Sequence, residues 1–197
     1  MSDDETLQVY ADRAQDYAKR FTGDSKQNAH LMAFIAALPA GGHALDLGCG
    51  PGHAAAAMAD AGLRVTAHDP VPEMIELAAA HAGVTAQVAS FDDIAGTDLY
   101  DGIWANFCLL HAPRAAMPHH LAALAQALKP GGRFHIGMKT GTGSKRDPIG
   151  RLYTYYTDAE LSGLLEDAGL TVTERTTGRE KGLDGVPADW ICLAAHG

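Results

Sequence analysis

Between Ala44 and Gly52 the chain reads Ala-Leu-Asp-Leu-Gly-Cys-Gly-Pro-Gly, an apolar segment that meets three glycines and then the alanine-rich stretch Ala54 to Ala61. That order predicts a strand, a tight turn and a helix start. Glycine accepts the backbone such a turn demands and lets a ligand approach where a Cβ would collide, while the first helical turn leaves N–H groups unpaired. Gly48, Gly50 and Gly52 are the candidate cradle. The next apolar segment, Leu63-Arg-Val-Thr-Ala-His-Asp69, reads as a second strand ending in a carboxylate. An acidic residue at that point can accept hydrogen bonds from a pair of vicinal hydroxyls.

The rest of the chain continues the alternation. Two helices lead, over residues 5 to 21 (Leu7, Tyr10, Ala14, Tyr17 and Phe21 near helical spacing) and Lys26 to Leu38, the latter ending before Pro39. Strands follow near 43–48, 63–68, 84–89, 100–106 and 132–138, with helices near 53–61, 72–82 and 114–128. Strands and helices in that order demand a parallel sheet covered on both faces. After a long polar segment, Thr157-Asp-Ala-Glu160 carries a capping-box pattern, and Leu170 to Arg175 and Trp190 to Ala195 give the last strands. With 197 residues, 47% of them hydrophobic, residues 1–197 are expected to form one domain, with 1–40 as N-terminal lid helices and 41–197 as the core.

A net charge of −9 and a pI of about 5.4 disfavour nucleic acid as a partner. Cys49, Cys108 and Cys192 are odd in number and lack metal-ligand spacing, so they read as small buried hydrophobes in a reducing compartment. His119-His120 likewise lacks a partner pair, and no metal site is expected. The acidic start and the absence of a long apolar run predict a cytoplasmic protein without a membrane partner, as monomer or homodimer.

Asp46-Leu-Gly-Cys-Gly-Pro-Gly52, followed by Asp69 at a second-strand end, resembles the signature of the class I S-adenosylmethionine (SAM)-dependent methyltransferases. Asp69-Pro-Val-Pro-Glu-Met-Ile-Glu-Leu-Ala78, Tyr100 to Asn106 with Leu109 to Pro113, and Leu128-Lys-Pro-Gly-Gly-Arg-Phe134 are similar to later segments of that family, in its order. The resemblance implies an α/β, three-layer Rossmann-like sandwich. Its sheet would be mostly parallel and seven-stranded with an antiparallel last strand, and two extra N-terminal helices would precede it. It also implies SAM as cofactor. The backbone at Gly48, Cys49 and Gly50 would hold the amino-acid part with Asp46 near its ammonium, and Asp69 and Pro70 would meet the ribose. Met74 and Phe91 would cover the adenine, Ala105 or Asn106 would approach the methionine part, and Tyr17 would touch the cofactor. Ser90 stands where the family often has an acidic residue for the adenine amino group, so that contact falls to Ser90 or Asp92. Val71 replaces a common capping Ser.

Methyl transfer from a sulfonium is an in-line displacement, so the protein contributes alignment and desolvation, and a base only where the acceptor needs one. His111, just after the fourth strand, is the candidate base; packing under the loop is the alternative reading. Residues 139 to 156 concentrate Lys139, Lys145, Arg146, Arg151, Tyr153, Tyr155 and Tyr156 in an otherwise acidic chain. Arg151 with Tyr10, Tyr155 and Tyr156 would then hold a small, anionic acceptor. A solvated loop is the competing reading of that segment. Two other functions stay open: a catalytically silent SAM-binding or sensing module, and an NAD(P)-dependent oxidoreductase. The second conflicts with the turn itself, because a G-x-G-x-x-G count from Gly48 ends on His53.

Overall fold

The computed structural model describes residues 3–20 and 28–197. β1 (His43–Leu47) lies mid-sheet, with β2 (Arg64–Asp69) and β3 (Val84–Val88) on one side. On its other side come β4 (Tyr100–Asn106), β5 (Leu128–Lys139), β9 (Pro187–His196) and β8 (Thr171–Lys181). β9 is antiparallel to both neighbours, and β1 to β5 pair in parallel. The seven-stranded sheet of the sequence reading is therefore present, antiparallel last strand included.

β1 and β4 show why both faces are covered. Leu45, Leu47, Ile103 and Ala105 point into a core closed by α6 (Met117–Ala127) and α7 (Asp158–Asp167). Ala44 and Trp104 point the other way, to α3 (Ala29–Ala36) and α4 (His53–Asp60). A strand buried on both sides needs an unbroken apolar run, as Ile103-Trp-Ala105 provides. α5 (Pro72–Ala78) joins β2 to β3.

Two elements differ from expectation. The first predicted helix is two, α1 (Asp4–Asp12) and α2 (Ala14–Arg20), broken at Arg13. Residues seven apart on one straight helix are about 10 Å apart along its axis, whereas the break lets the Tyr10 and Tyr17 rings meet edge to face at 5.8 Å. The predicted positions Phe21 and Lys26 lie outside the described residues. The polar segment 139–156 contains a two-stranded hairpin, β6 (Ser144–Arg146) with β7 (Leu152–Thr154), rather than an open loop.

Candidate functional site at the carboxyl ends of the strands

Gly48, Gly50 and Gly52 have φ of 64°, 52° and 83°, the left-handed region that side chains resist. At Gly48 space is also decisive: a Cβ would stand 2.2 Å from that of Cys108. The turn is tied to the second strand by Asp69, whose Oδ2 accepts the Gly50 N–H and whose Oδ1 accepts the Val71 N–H, both at 2.9 Å. Asp69 thus fixes the backbone entering α5, whose first turn has no side-chain cap. Each oxygen keeps one lone pair, enough for a further donor.

Two cavities open beside this turn. The smaller, about 70 Å³, is lined by Asp69, Pro70, Val71, Met74, Phe91 and His111 among others. The larger, about 360 Å³, runs from Asp46, Cys49 and Pro51 past Trp104 to Lys139, Arg151, Tyr153 and Trp190. Tyr10, Tyr17, Gly48, Gly50, Asn106 and Phe107 line both. The two spaces therefore share one rim.

Burial sets the electrostatics. It pushes Asp46 up to about 7 and Asp69 up to about 6. Asp46 Oδ2 is buried without a hydrogen-bond partner among the described residues. A cationic group of a ligand would supply what that oxygen lacks. His111 is pulled down to about 4, chiefly by burial. Its Nδ1–H donates to the Leu152 carbonyl at 2.8 Å, so Nε2 accepts the Tyr10 hydroxyl proton at 2.9 Å. Arg151 Nη1 donates to the same hydroxyl oxygen at 3.0 Å, while its Nε and Nη2 donate to Asp147 Oδ2 at 3.0 and 2.8 Å. A buried chain of hydrogen bonds thus runs from Asp147 to Leu152 through the roof of the site.

The sequence-derived candidates separate accordingly. Tyr10, Tyr17, Asp46, Gly48, Cys49, Gly50, Asp69, Pro70, Met74, Phe91, Asn106, His111 and Arg151 line one or both cavities. Ser90 instead caps the 3-10 turn Phe91–Asp93, accepting the Asp92 N–H. Asp92 is exposed, 4.0 Å from His120 Nε2. Ala105 faces the core on the opposite side of the sheet. Tyr156 is buried in that core under the Arg114 guanidinium, 4.3 Å from its ring centroid, and Tyr155 packs over Gly141; neither lines the two cavities. Nor are the two arginines of the basic cluster free to attract an anion as expected. Arg151 is held by Asp147, and Arg146 pairs with Asp3 at 2.8 Å and Glu5 at 3.2 Å on the N-terminal helix.

Phe107, Trp190 and Trp104 were not singled out as site residues in the sequence. Two glycines inside strands mark the first two. A Cβ at Gly137 would stand 2.5 Å from Asn106 Oδ1 and 3.2 Å from the Phe107 ring, and one at Gly178 would stand 2.3 Å from Trp190 Cζ2. A glycine inside a strand signals a close approach of this kind. Among the described residues no group of His, Cys, Asp and Glu could hold a metal, and no helix is long and apolar enough to cross a membrane.

Residues 44–132 match the family model for a methyltransferase domain. The chain is 31% identical over 158 residues to a ubiquinone biosynthesis O-methyltransferase of Xanthomonas axonopodis pv. citri, covering 69% of this chain and 65% of that protein. It is 40% identical over 103 residues to a ubiquinone/menaquinone biosynthesis C-methyltransferase of Rubrivivax gelatinosus, covering 51% and 40%. The chain thus spans less than two-thirds of these relatives' own lengths. Among solved structures it is similar to the Burkholderia thailandensis 1,6-didemethyltoxoflavin-N1-methyltransferase, bound there to 1,6-didemethyltoxoflavin and S-adenosylhomocysteine. The TM-score is 0.78 at 26% identity, over 98% of this chain and 87% of that one. Motif order, sheet order and these likenesses agree in supporting a class I S-adenosylmethionine-dependent methyltransferase.

Proposed function

We propose that this chain transfers the methyl group of SAM to a small molecule. The observation that carries the reading is the pair of cavities meeting at Tyr10, Tyr17, Asn106 and Phe107 beside the glycine turn, with buried Asp69 in the wall of the smaller and buried Asp46 at the glycine-turn end of the larger, whose far end is walled by aromatic rings. SAM fits the residues present: the partnerless Asp46 oxygen suits its ammonium, the remaining lone pairs of Asp69 suit its ribose, and Met74 and Phe91 wall a slot for its adenine. When bound, it supplies a methyl group activated by a sulfonium. The protein's part is to exclude water, through α1, α2 and the hairpin, and to hold the acceptor atom in line.

The relatives' names span oxygen, carbon and nitrogen as acceptor atoms. The reading of an anionic acceptor is supported here by Lys139 in the larger cavity, not by Arg151, whose fork Asp147 already fills. Calorimetric titration tests the cofactor. SAM or S-adenosylhomocysteine should bind and stabilise the fold, by about 2.7 kcal/mol at a hundredfold excess over Kd, whereas NAD and NADP should not. Stabilisation by NAD alone would overturn the proposal. Labelled methyl transfer to a panel of acceptors then separates an enzyme from a silent binding module, since the latter binds SAM and yields no product.

A further inference from the structure

The shared rim of the cavities offers no free base. His111 spends Nδ1–H on Leu152 and Nε2 on Tyr10, and the Tyr10 hydroxyl spends its proton on His111. Asp69 lines the smaller cavity only, and Asp46, at the glycine-turn end of the larger one, is the group proposed to hold the cofactor's ammonium. A nucleophile reaching this rim must therefore arrive ionised or be ionised by charge alone.

Lys139, at the end of β5, is placed to do this. Its ammonium sits 4.0 Å above the Tyr153 ring, in the wall of the larger cavity, and no described residue accepts a hydrogen bond from it. Lys139 is half-buried, and burial holds its pKa below the usual lysine value. The groups facing it are Tyr153 and Arg151 on the hairpin, Asp147 in the hairpin turn, Asp184 between β8 and β9, and His111 after β4. Arg151 and Asp147 neutralise each other. Around the ammonium the cavity is walled by rings: Tyr153, Phe107 and Trp190, the last two edge to face at 6.4 Å. Phe107 is held at φ 55°, a backbone strain typical of built sites.

Resting on the proposed methyl transfer, we infer that Lys139 selects and ionises the acceptor: a planar ring bearing a phenolic or enolic hydroxyl. Bound against the ammonium, the hydroxyl gives its proton to water. The resulting oxyanion forms a C–O bond to the methyl carbon as the C–S bond breaks, and the C–S electron pair stays on sulfur. The balance needs no base from the protein: water carries off the proton, and the anion and the sulfonium become a neutral ether and a neutral sulfide.

The test reads ionisation rather than turnover. 4-Nitrophenol, whose phenolate alone absorbs in the visible, is titrated with acid in the presence of the protein, with and without S-adenosylhomocysteine. The parent should bind it and lower its apparent pKa, giving about tenfold more phenolate at a fixed acidic pH, the effect of one pKa unit. Lys139→Gln should abolish that shift and Lys139→Arg should keep most of it, both with SAM affinity and melting temperature near the parent's. A parent that does not bind the probe, or a Lys139→Gln variant that shifts it as the parent does, overturns the inference. If SAM itself fails to bind the parent, it is the methyl-transfer reading that falls.

Discussion

At the scale of single residues, the site holds several ionisable groups whose charged forms burial disfavours. Asp46 and Asp69 are raised to about 7 and 6 and His111 is lowered to about 4, while His135, stacked on Trp104 and lining neither cavity, is lowered to about 3, in each case chiefly by burial. A raised carboxyl contributes stability below its ordinary value of about 3.9 and loses it as pH climbs through the folded value. A lowered histidine contributes above about 6.5 and loses it as pH falls. Between roughly pH 4 and 6 the slopes of these four groups oppose one another. Asp46→Asn removes one carboxyl from that balance. Relative to the parent it should gain up to about 1.4 kcal/mol of unfolding free energy per pH unit across pH 4 to 7. Urea denaturation at three pH values checks this, and parallel lines for parent and variant would move the shift elsewhere. The glycines, Asp46 and Asp69 were legible in the sequence because backbone geometry and strand ends fix their chemistry locally. Lys139 was legible only as one of a basic cluster, with Arg151 singled out for the contact, and Trp190 was not legible as a site residue, because it reaches the cavity only once β5 and β9 pair.

Elements show where sequence reading loses range. The capping box at α7 was readable, since Thr157 and Glu160 are three apart, and the structure closes it with the Thr157 N–H on Glu160 Oε2 at 2.8 Å. The hairpin was not, because its partners lie far away in the chain. Leu152 N–H donates to Thr6 Oγ1 at 2.8 Å, Arg146 pairs with Asp3 and Glu5, and Arg151 reaches Tyr10. The local excess of positive charge thus answers an acidic helix some 140 positions earlier, a pairing no window along the sequence displays. Within that clamp the exposed Arg146 pairs contribute little, and the buried Tyr10 hydroxyl contributes most. Tyr10→Phe should cost about 1–3 kcal/mol, the scale of leaving buried partners unsatisfied, measured by chemical denaturation. The same substitution should speed hydrogen exchange in α1 while leaving β1 and β4 unchanged.

For the molecule as a whole, the alternation of strand and helix was enough to foretell the layers, because burying both sheet faces leaves few other solutions. It did not foretell how loosely the roof is fastened. α1 and α2 pack through Leu7, Tyr10, Ala14 and Tyr17 onto Val71 and Met74, a cluster apart from the two cores that flank the sheet. Native-state hydrogen exchange should therefore find residues 4–20 opening at a lower free energy than 43–47 and 100–106, and SAM should narrow the gap. Equal protection in both would mean that roof and sheet form one cooperative unit. The strand order carries a different consequence, for assembly. β9 lies between β5 and β8, so β8 has no neighbour to pair with until residues 187–196 have left the ribosome. A chain interrupted before Pro187 loses two strands rather than one, and the wall that Trp190 gives the acceptor space is among the last parts of the fold to exist.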